Sequence, residues 1–322
     1  MVEGRKRAKI SIVGAGNVGS TAAMRIAQRN LGDIVLLDIV PGVAKGKALD
    51  ILQMAPVEGF ESDLVGTSDY ADTEGSDVVV ICAGVARRPG MSRDDLLAVN
   101  AGVVKCAVES ALKWSPEAFL VVVTNPVDAM TYLAKVVSGL PRERVMGMAG
   151  VLDSARLRAF IAQELDFSPA DVHTMVLGGH GDHMVPIIRY TTAGGIPVRY
   201  LLPEETLQRL VDRARAGGGE IVSLLQTGSA FYAPAAAIAR MVDSLLGNRR
   251  RIINVSAYLE GEYGYRDVCA GVPGMVGPTG LEKIIELDLE PPEREAFARF
   301  IERQRALVKE LAAGGFIPLE GG

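Results

Sequence analysis

The stretch Ile10-Ser11-Ile12-Val13-Gly14-Ala15-Gly16-Asn17-Val18-Gly19 decides how this chain folds. A short apolar run feeds directly into Gly-x-Gly-x-x-Gly, and residues 18–29 then carry a helix-length amphipathic pattern. In a strand–loop–helix unit each glycine has its own task. Gly14 makes the tight turn, Gly16 lets backbone approach a pyrophosphate, and Gly19 permits close packing of helix on strand. Ala15, Asn17 and Val18 complete a loop at a helix N-terminus, where free N–H groups suit an anion. A second apolar run, 34–37, ends in Asp38. An acid about 20 residues beyond the glycines accepts hydrogen bonds from the adenosine ribose, and its charge repels a 2′-phosphate. The loop and Asp38 together point to NAD rather than NADP as cofactor. A plain turn beside a solvated aspartate is the competing reading, and the flanking strand and helix weigh against it.

Outward from this unit the rhythm continues. Apolar runs at 10–13, 34–37, 78–82, 119–123 and 144–146 alternate with amphipathic segments at 18–29, 43–53, 96–113 and 127–137. Short continuous apolar strands separated by helices imply parallel strands covered on both faces, a doubly wound α/β sheet of the Rossmann kind. Beyond about Gly147 the pattern changes. A helix at 154–165 leads to strands at 172–177 and 185–189, helices at 203–214, 220–225 and 230–246, strand-like stretches at 252–258 and 268–275, and a charged helix at 292–312. Strands and helices in clusters describe an α+β unit. The expected division is a dinucleotide-binding domain over 1–147 and a catalytic α+β domain over 148–322, packed directly with a cleft between them. Gly217-Gly218-Gly219 reads as a break or a helix start.

Bulk properties narrow the function classes. A chain of 322 residues is long enough for two domains. A net charge of −5 argues against nucleic acid or a membrane surface as partner, since either would call for a basic face. Three scattered cysteines, Cys82, Cys106 and Cys269, form neither a disulfide framework nor a zinc spacing. The basic Arg5-Lys6-Arg7 before an apolar run is interrupted by glycines too early for a secretion signal, and no stretch reaches the ~20 apolar residues of a membrane span. A cytoplasmic setting is expected.

Taking a proton from an alcohol as hydride leaves needs a base near neutral pKa and a clamp for the substrate. All three histidines, His173, His180 and His183, fall within 171–186. His173 continues an apolar alternation and reads as structural. The spacing of His180 and His183 also admits a metal, but no further ligands accompany them, so no metal is expected. Spacing alone does not choose between the two.

The segment Gly178-Gly179-His180-Gly181-Asp182-His183-Met184-Val185-Pro186 resembles the catalytic segment of the lactate/malate dehydrogenase family. The resemblance implies that His180 is the acid/base. Val151-Leu152-Asp153-Ser154-Ala155-Arg156 resembles the partner segment, in which Asp153 would steady the imidazolium and Arg156 grip the substrate carboxylate. An N-cap role for Asp153 is compatible with this. Residues 83–93 resemble the family's mobile active-site loop, which places Arg93 on the substrate carbonyl and Arg87 at the position that selects the substrate's tail. The resemblance further sets Asn100 against the cofactor, with backbone contacts from Val123 and Thr124, and Asn125 between substrate and nicotinamide. Residues 227–234 would line the far wall. Lactate-type members carry a neutral residue, usually Gln, at the selector position. Arg87 instead suits the second carboxylate of malate or oxaloacetate, because pyruvate would leave a buried cation unpaired. This is similar to the family's malate-specific, lactate-dehydrogenase-like branch. The family often has Arg-Lys here, so Arg87-Arg88 leaves open which arginine selects. A homodimer or homotetramer is implied as well.

Overall fold

The computed structural model describes residues 7–85 and 93–318, with backbone only for 93–95. Its first half runs β1 (Lys9–Val13), α1 (Asn17–Gln28), β2 (Asp33–Leu37), α2 (Pro41–Gln53), the short α3 (Ala55–Glu58), β3 (Leu64–Thr67), β4 (Val78–Ile81), α4 (Arg93–Trp114), β5 (Phe119–Val122), α5 (Val127–Ser138) and β6 (Val145–Gly147). These six strands are parallel, in the order β3-β2-β1-β4-β5-β6. Helices cover both faces, so β4 is buried at every position, which is why its sequence is an unbroken Val-Val-Val-Ile. Val13 stands level with Leu37 on one side and Ile81 on the other. The loops after β1, β2 and β4 therefore leave the sheet at one edge, where the strand order reverses and open α/β sheets bind ligands.

The second half contains α6 (Gly150–Leu165), β7 (Val172–His173), β8 (Val176–Gly178), β9 (Met184–Pro186), β10 (Thr192–Ala193), β11 (Ile196–Pro197), α7 (Glu204–Leu225), α8 (Tyr232–Leu246), β12 (Arg251–Glu260), β13 (Arg266–Gly277), β14 (Gly280–Ile284) and α9 (Pro291–Ala313). Most of its strands do not form a sheet of their own. β12 pairs antiparallel with β6 through Ser256 and Gly147, and β13, β8, β9 and β14 extend the same sheet to 11 strands. Gly147 is required at this seam, because a Cβ there would lie 2.3 Å from Thr131 Oγ1 and 2.8 Å from Ser256 Cβ.

Several expectations need correction. The single strand at 172–177 is two: β7 joins a small sheet with β10 and β11, and β8 joins the large one. Thr174 and Met175 make the transfer, with the Thr174 hydroxyl donating to the Ser154 carbonyl at 3.2 Å and the Met175 carbonyl accepting from Ile187 N–H at 2.8 Å. Gly217-Gly218-Gly219 does not break a helix, since α7 passes straight through it. Asp153 is not an N-cap. α6 starts at Gly150, which puts Asp153 inside the first turn with its side chain free for other work.

Candidate active site

The cofactor loop leaves β1 at Gly14, whose φ of +104° turns the chain and whose N–H donates to the Leu37 carbonyl at 2.7 Å. A Cβ on Gly14 would strike the Ala83 backbone nitrogen at 2.6 Å, and one on Gly19 the Gly14 carbonyl oxygen at 1.9 Å. A Cβ on Gly16 would meet nothing, so backbone there faces open space. The first N–H groups of α1 have no helical carbonyl to bond, and the positive end of the helix dipole stands over this opening. Asp38, at the end of β2, accepts the Ala15 N–H at 2.8 Å on one oxygen and the Val40 N–H at 3.0 Å on the other. An ionised carboxylate has about four acceptor positions, so these bonds fix Asp38 and still leave capacity for hydroxyls. Gly14, Gly16, Asp38 and Ile39 line a cavity of about 550 Å³. An open Gly16, a helix N-terminus and an oriented acid fit an NAD-like dinucleotide.

A neighbouring cavity of about 410 Å³ draws its walls from both halves of the chain, Val18, Thr124 and Asn125 from one, Arg156, His180 and Gly218 from the other. Asp153, 1% exposed, holds His180 Nδ1 at 3.0 Å through Oδ2. The Nδ1 proton therefore points at the carboxylate, which leaves Nε2 as the ring's acceptor when the imidazole is neutral. Burial alone would loosen the proton on His180. The charge and hydrogen bond of Asp153, helped by Asp128, outweigh burial and the opposing Arg156, and raise its pKa. Asp153 Oδ1 has no hydrogen-bond partner and lies 3.8 Å from the Arg156 guanidinium. Burial lowers the pKa of Arg156, with Asp153 restoring part of the loss.

Residue by residue, the geometry brings His180, Asp153, Arg156, Thr124 and Asn125 together around one cavity. His183 lines a second cavity behind His180, and His173 is an exposed member of β7. Val123 is buried beside Thr124, whose hydroxyl donates to the Ala83 carbonyl at 2.6 Å. Asn100, expected against the cofactor, is buried; its amide accepts from Val85 N–H at 2.8 Å and donates to the Val85 and Asn125 carbonyls. It braces the two loops that wall the cavity. Arg87 and Arg88 lie outside the described residues, and Arg93 is described only as the first backbone position of α4. Among the described residues no group of three His, Cys, Asp or Glu side chains could hold a metal.

Two features had no role in the sequence reading. Asp128, the last residue of Thr124-Asn125-Pro126-Val127-Asp128, is buried behind His180 and accepts the Ser256 hydroxyl at 2.6 Å. Burial pushes its pKa up to about 7, against the pull of Ser256 and His180. Two glycines of α7, Gly217 and Gly218, face Arg156, with Gly217 so near that a Cβ would lie 3.3 Å from Arg156 Cδ. A triple glycine inside an otherwise helical pattern was the available signal.

Residues 8–147 match the lactate/malate dehydrogenase NAD binding domain, and residues 150–313 match the alpha/beta C-terminal domain of the same family. The chain belongs to the lactate/malate dehydrogenase family. Among curated members of the family, a malate dehydrogenase of Desulforudis audaxviator is 58% identical over 306 residues, covering 95% of this chain and 99% of that one. The solved structure of the apo malate dehydrogenase of Picrophilus torridus superposes with a TM-score of 0.94 at 47% identity, covering 96% of this chain and 98% of that one. A lactate dehydrogenase from Cryptosporidium parvum, solved with lactic acid and NAD, gives 0.91 at 39% identity, covering 96% and 99%. Both specificities thus occur among the family structures that share this fold. The family's N-terminal domain makes NAD the cofactor.

Proposed function

We propose that this chain catalyses the reversible NAD-dependent oxidation of (S)-malate to oxaloacetate. The observation that carries the chemistry is the Asp153–His180 pair, set at 3.0 Å beside Arg156 in a cavity next to the glycine loop. Relatives at 53–58% identity that carry the name malate dehydrogenase support the choice of substrate.

Gly14, Ala15, Gly16, Asn17, Val18, Gly19 and Asp38 hold the dinucleotide, with Val123, Thr124 and Asn125 toward the nicotinamide end and Asn100 behind them. NAD, when bound, supplies the hydride acceptor. Arg156 pairs with the carboxylate next to the reacting carbon, where a planar guanidinium binds in bidentate fashion. His180 Nε2 takes the hydroxyl proton, and Asp153 stabilises the resulting imidazolium at Nδ1. In reverse, protonated His180 and Arg93 polarise the ketone. Arg87 or Arg88 pairs with the distal carboxylate. We place the division between cofactor and substrate domains at 147/148. We also propose a cytoplasmic homodimer or homotetramer, with neither nucleic acid nor membrane as partner; no described helix is long and apolar enough to cross a bilayer.

The test is an absorbance assay with oxaloacetate and pyruvate, each with NADH and NADPH. We expect oxaloacetate with NADH to be preferred by about a hundredfold or more, since a buried unpaired cation costs several kcal/mol. Arg87→Gln or Arg88→Gln should damage oxaloacetate turnover far more than pyruvate turnover. Equal losses in both variants would remove the selector role, and a preference for pyruvate would favour the lactate reading.

A further inference from the structure

Lys47 extends from α2 to the cofactor loop. Its ammonium donates to the Ala15 carbonyl at 2.8 Å and reaches Ser20 Oγ at 3.4 Å. Ser20 in turn donates to the Gly16 carbonyl at 2.8 Å, so one lysine ties together both sides of the Gly16 turn. The helix that carries it is firmly seated: Ala44 and Ala48 are buried, and Gly66 of β3 lies so close that a Cβ there would be 2.3 Å from the Ala44 carbonyl.

Two consequences follow from the peptide geometry. The N–H of Ala15 is held by Asp38 and its C=O by Lys47, so this residue is fixed from both ends. In a trans peptide the C=O of Ala15 and the N–H of Gly16 point in opposite directions. Anchoring the oxygen on Lys47 therefore aims the Gly16 N–H away from α2, on the residue where the backbone faces open space. A cation on the carbonyl also polarises the peptide and strengthens that N–H as a donor. Among the described residues Lys47 forms no ion pair; its partners are neutral oxygens.

We infer that Lys47 is a positioning residue for the cofactor's pyrophosphate, orienting the Ala15–Gly16 peptide and adding a positive charge, outside any described ion pair, beneath the phosphate loop. The inference rests on the NAD reading above. Its alternative is a purely structural tie between α2 and the loop.

NADH binding, followed by fluorescence titration at low and high salt with adenosine as competitor, separates the two. Lys47→Met and Lys47→Gln remove the charge, Lys47→Arg keeps it, and Lys45→Met removes an exposed cation from the same helix. Lys47→Met should weaken NADH about tenfold, about 1.4 kcal/mol, and flatten its salt dependence while leaving adenosine affinity within about twofold. Lys47→Gln should behave alike, and carries the test if Lys47→Met does not fold. Lys47→Arg should recover most of the loss, and Lys45→Met should show none. NADH affinity unchanged in both neutral variants, or equal losses of NADH and adenosine, would overturn the inference. A wild-type chain that binds no NADH would instead overturn the reading beneath it.

Discussion

At the scale of the residue, the site is an arrangement of charges that set one another's protonation. Asp153 raises the pKa of His180, so on the proposed mechanism, in which the imidazolium supplies the proton, oxaloacetate reduction should fall as pH rises through that elevated value. Asp153→Asn removes the charge and lowers the histidine pKa. The alkaline limb of the kcat/KM profile for oxaloacetate should therefore move to lower pH, with kcat down by about a hundredfold or more. A limb left in place would exclude Asp153 as the source of the shift. Asp128 acts on stability. Its pKa rises on folding from an ordinary 3.8 to about 7, so between those values the folded chain holds a proton that the unfolded chain has released. Stability is lost as pH climbs through that window, and the full cost remains above it. His180 adds to the same trend, because its stabilising proton is lost as pH rises through its raised pKa. Asp128→Asn keeps a side-chain oxygen for Ser256 and cannot ionise. Thermal melts should show it more stable than wild type by about 2–4 kcal/mol at pH 8.5, with the gap narrowing at pH 5.

At the scale of the element, α7 sets helix stability against room for Arg156, the proposed substrate clamp. Each glycine inside a helix costs about 1 kcal/mol relative to alanine. Gly219 meets nothing, so Gly219→Ala should raise Tm by about 2 °C without changing KM. Gly217→Ala gains the same helix propensity, but its methyl would press on Arg156 Cδ and displace the guanidinium by a few tenths of an ångström. We expect KM for oxaloacetate to rise several-fold while Tm does not fall; an unchanged KM would mean that α7 exerts no steric control over Arg156. The same helix marks the limit of what was legible in the sequence. Propensity treats Gly217-Gly218-Gly219 as punctuation, because the reason for it, a side chain on α6, is remote in sequence. β2, β4 and β5 were legible because burial on both faces leaves continuous apolar runs, and β1 because only the buried Ser11 interrupts its run. Edge strand β3, buried at only two of its four positions, leaves no such run. Spacing left His180 and His183 equivalent, whereas in the folded chain the approach of α6 brings Asp153 onto His180. Asp128 could be quoted but not assigned, because its partner Ser256 lies 128 residues away.

At the scale of the whole molecule, the two halves share one sheet through β6 and β12, and the walls of the reactive cavity come from a single chain. That arrangement does not explain the outer surface. Isolated exposed aliphatics are ordinary on a folded protein. Here α2 alone exposes Val43, Leu49 and Leu52, and the last turns of α7 expose Val222, Leu224 and Leu225, with Leu224 at 75%. Apolar groups gathered on two helices suit a surface that another subunit would cover, which is where the proposed oligomer can be tested. Leu49 lies outside both cavities and is 56% exposed, so a charge placed there perturbs association without opening the core. Sedimentation equilibrium of the wild-type chain should return a dimer or tetramer. Leu49→Glu or Leu224→Glu should lower the mass toward that of one chain while circular dichroism stays unchanged. A wild-type chain that sediments as a monomer at micromolar concentration would show that these helices are simply solvent-facing.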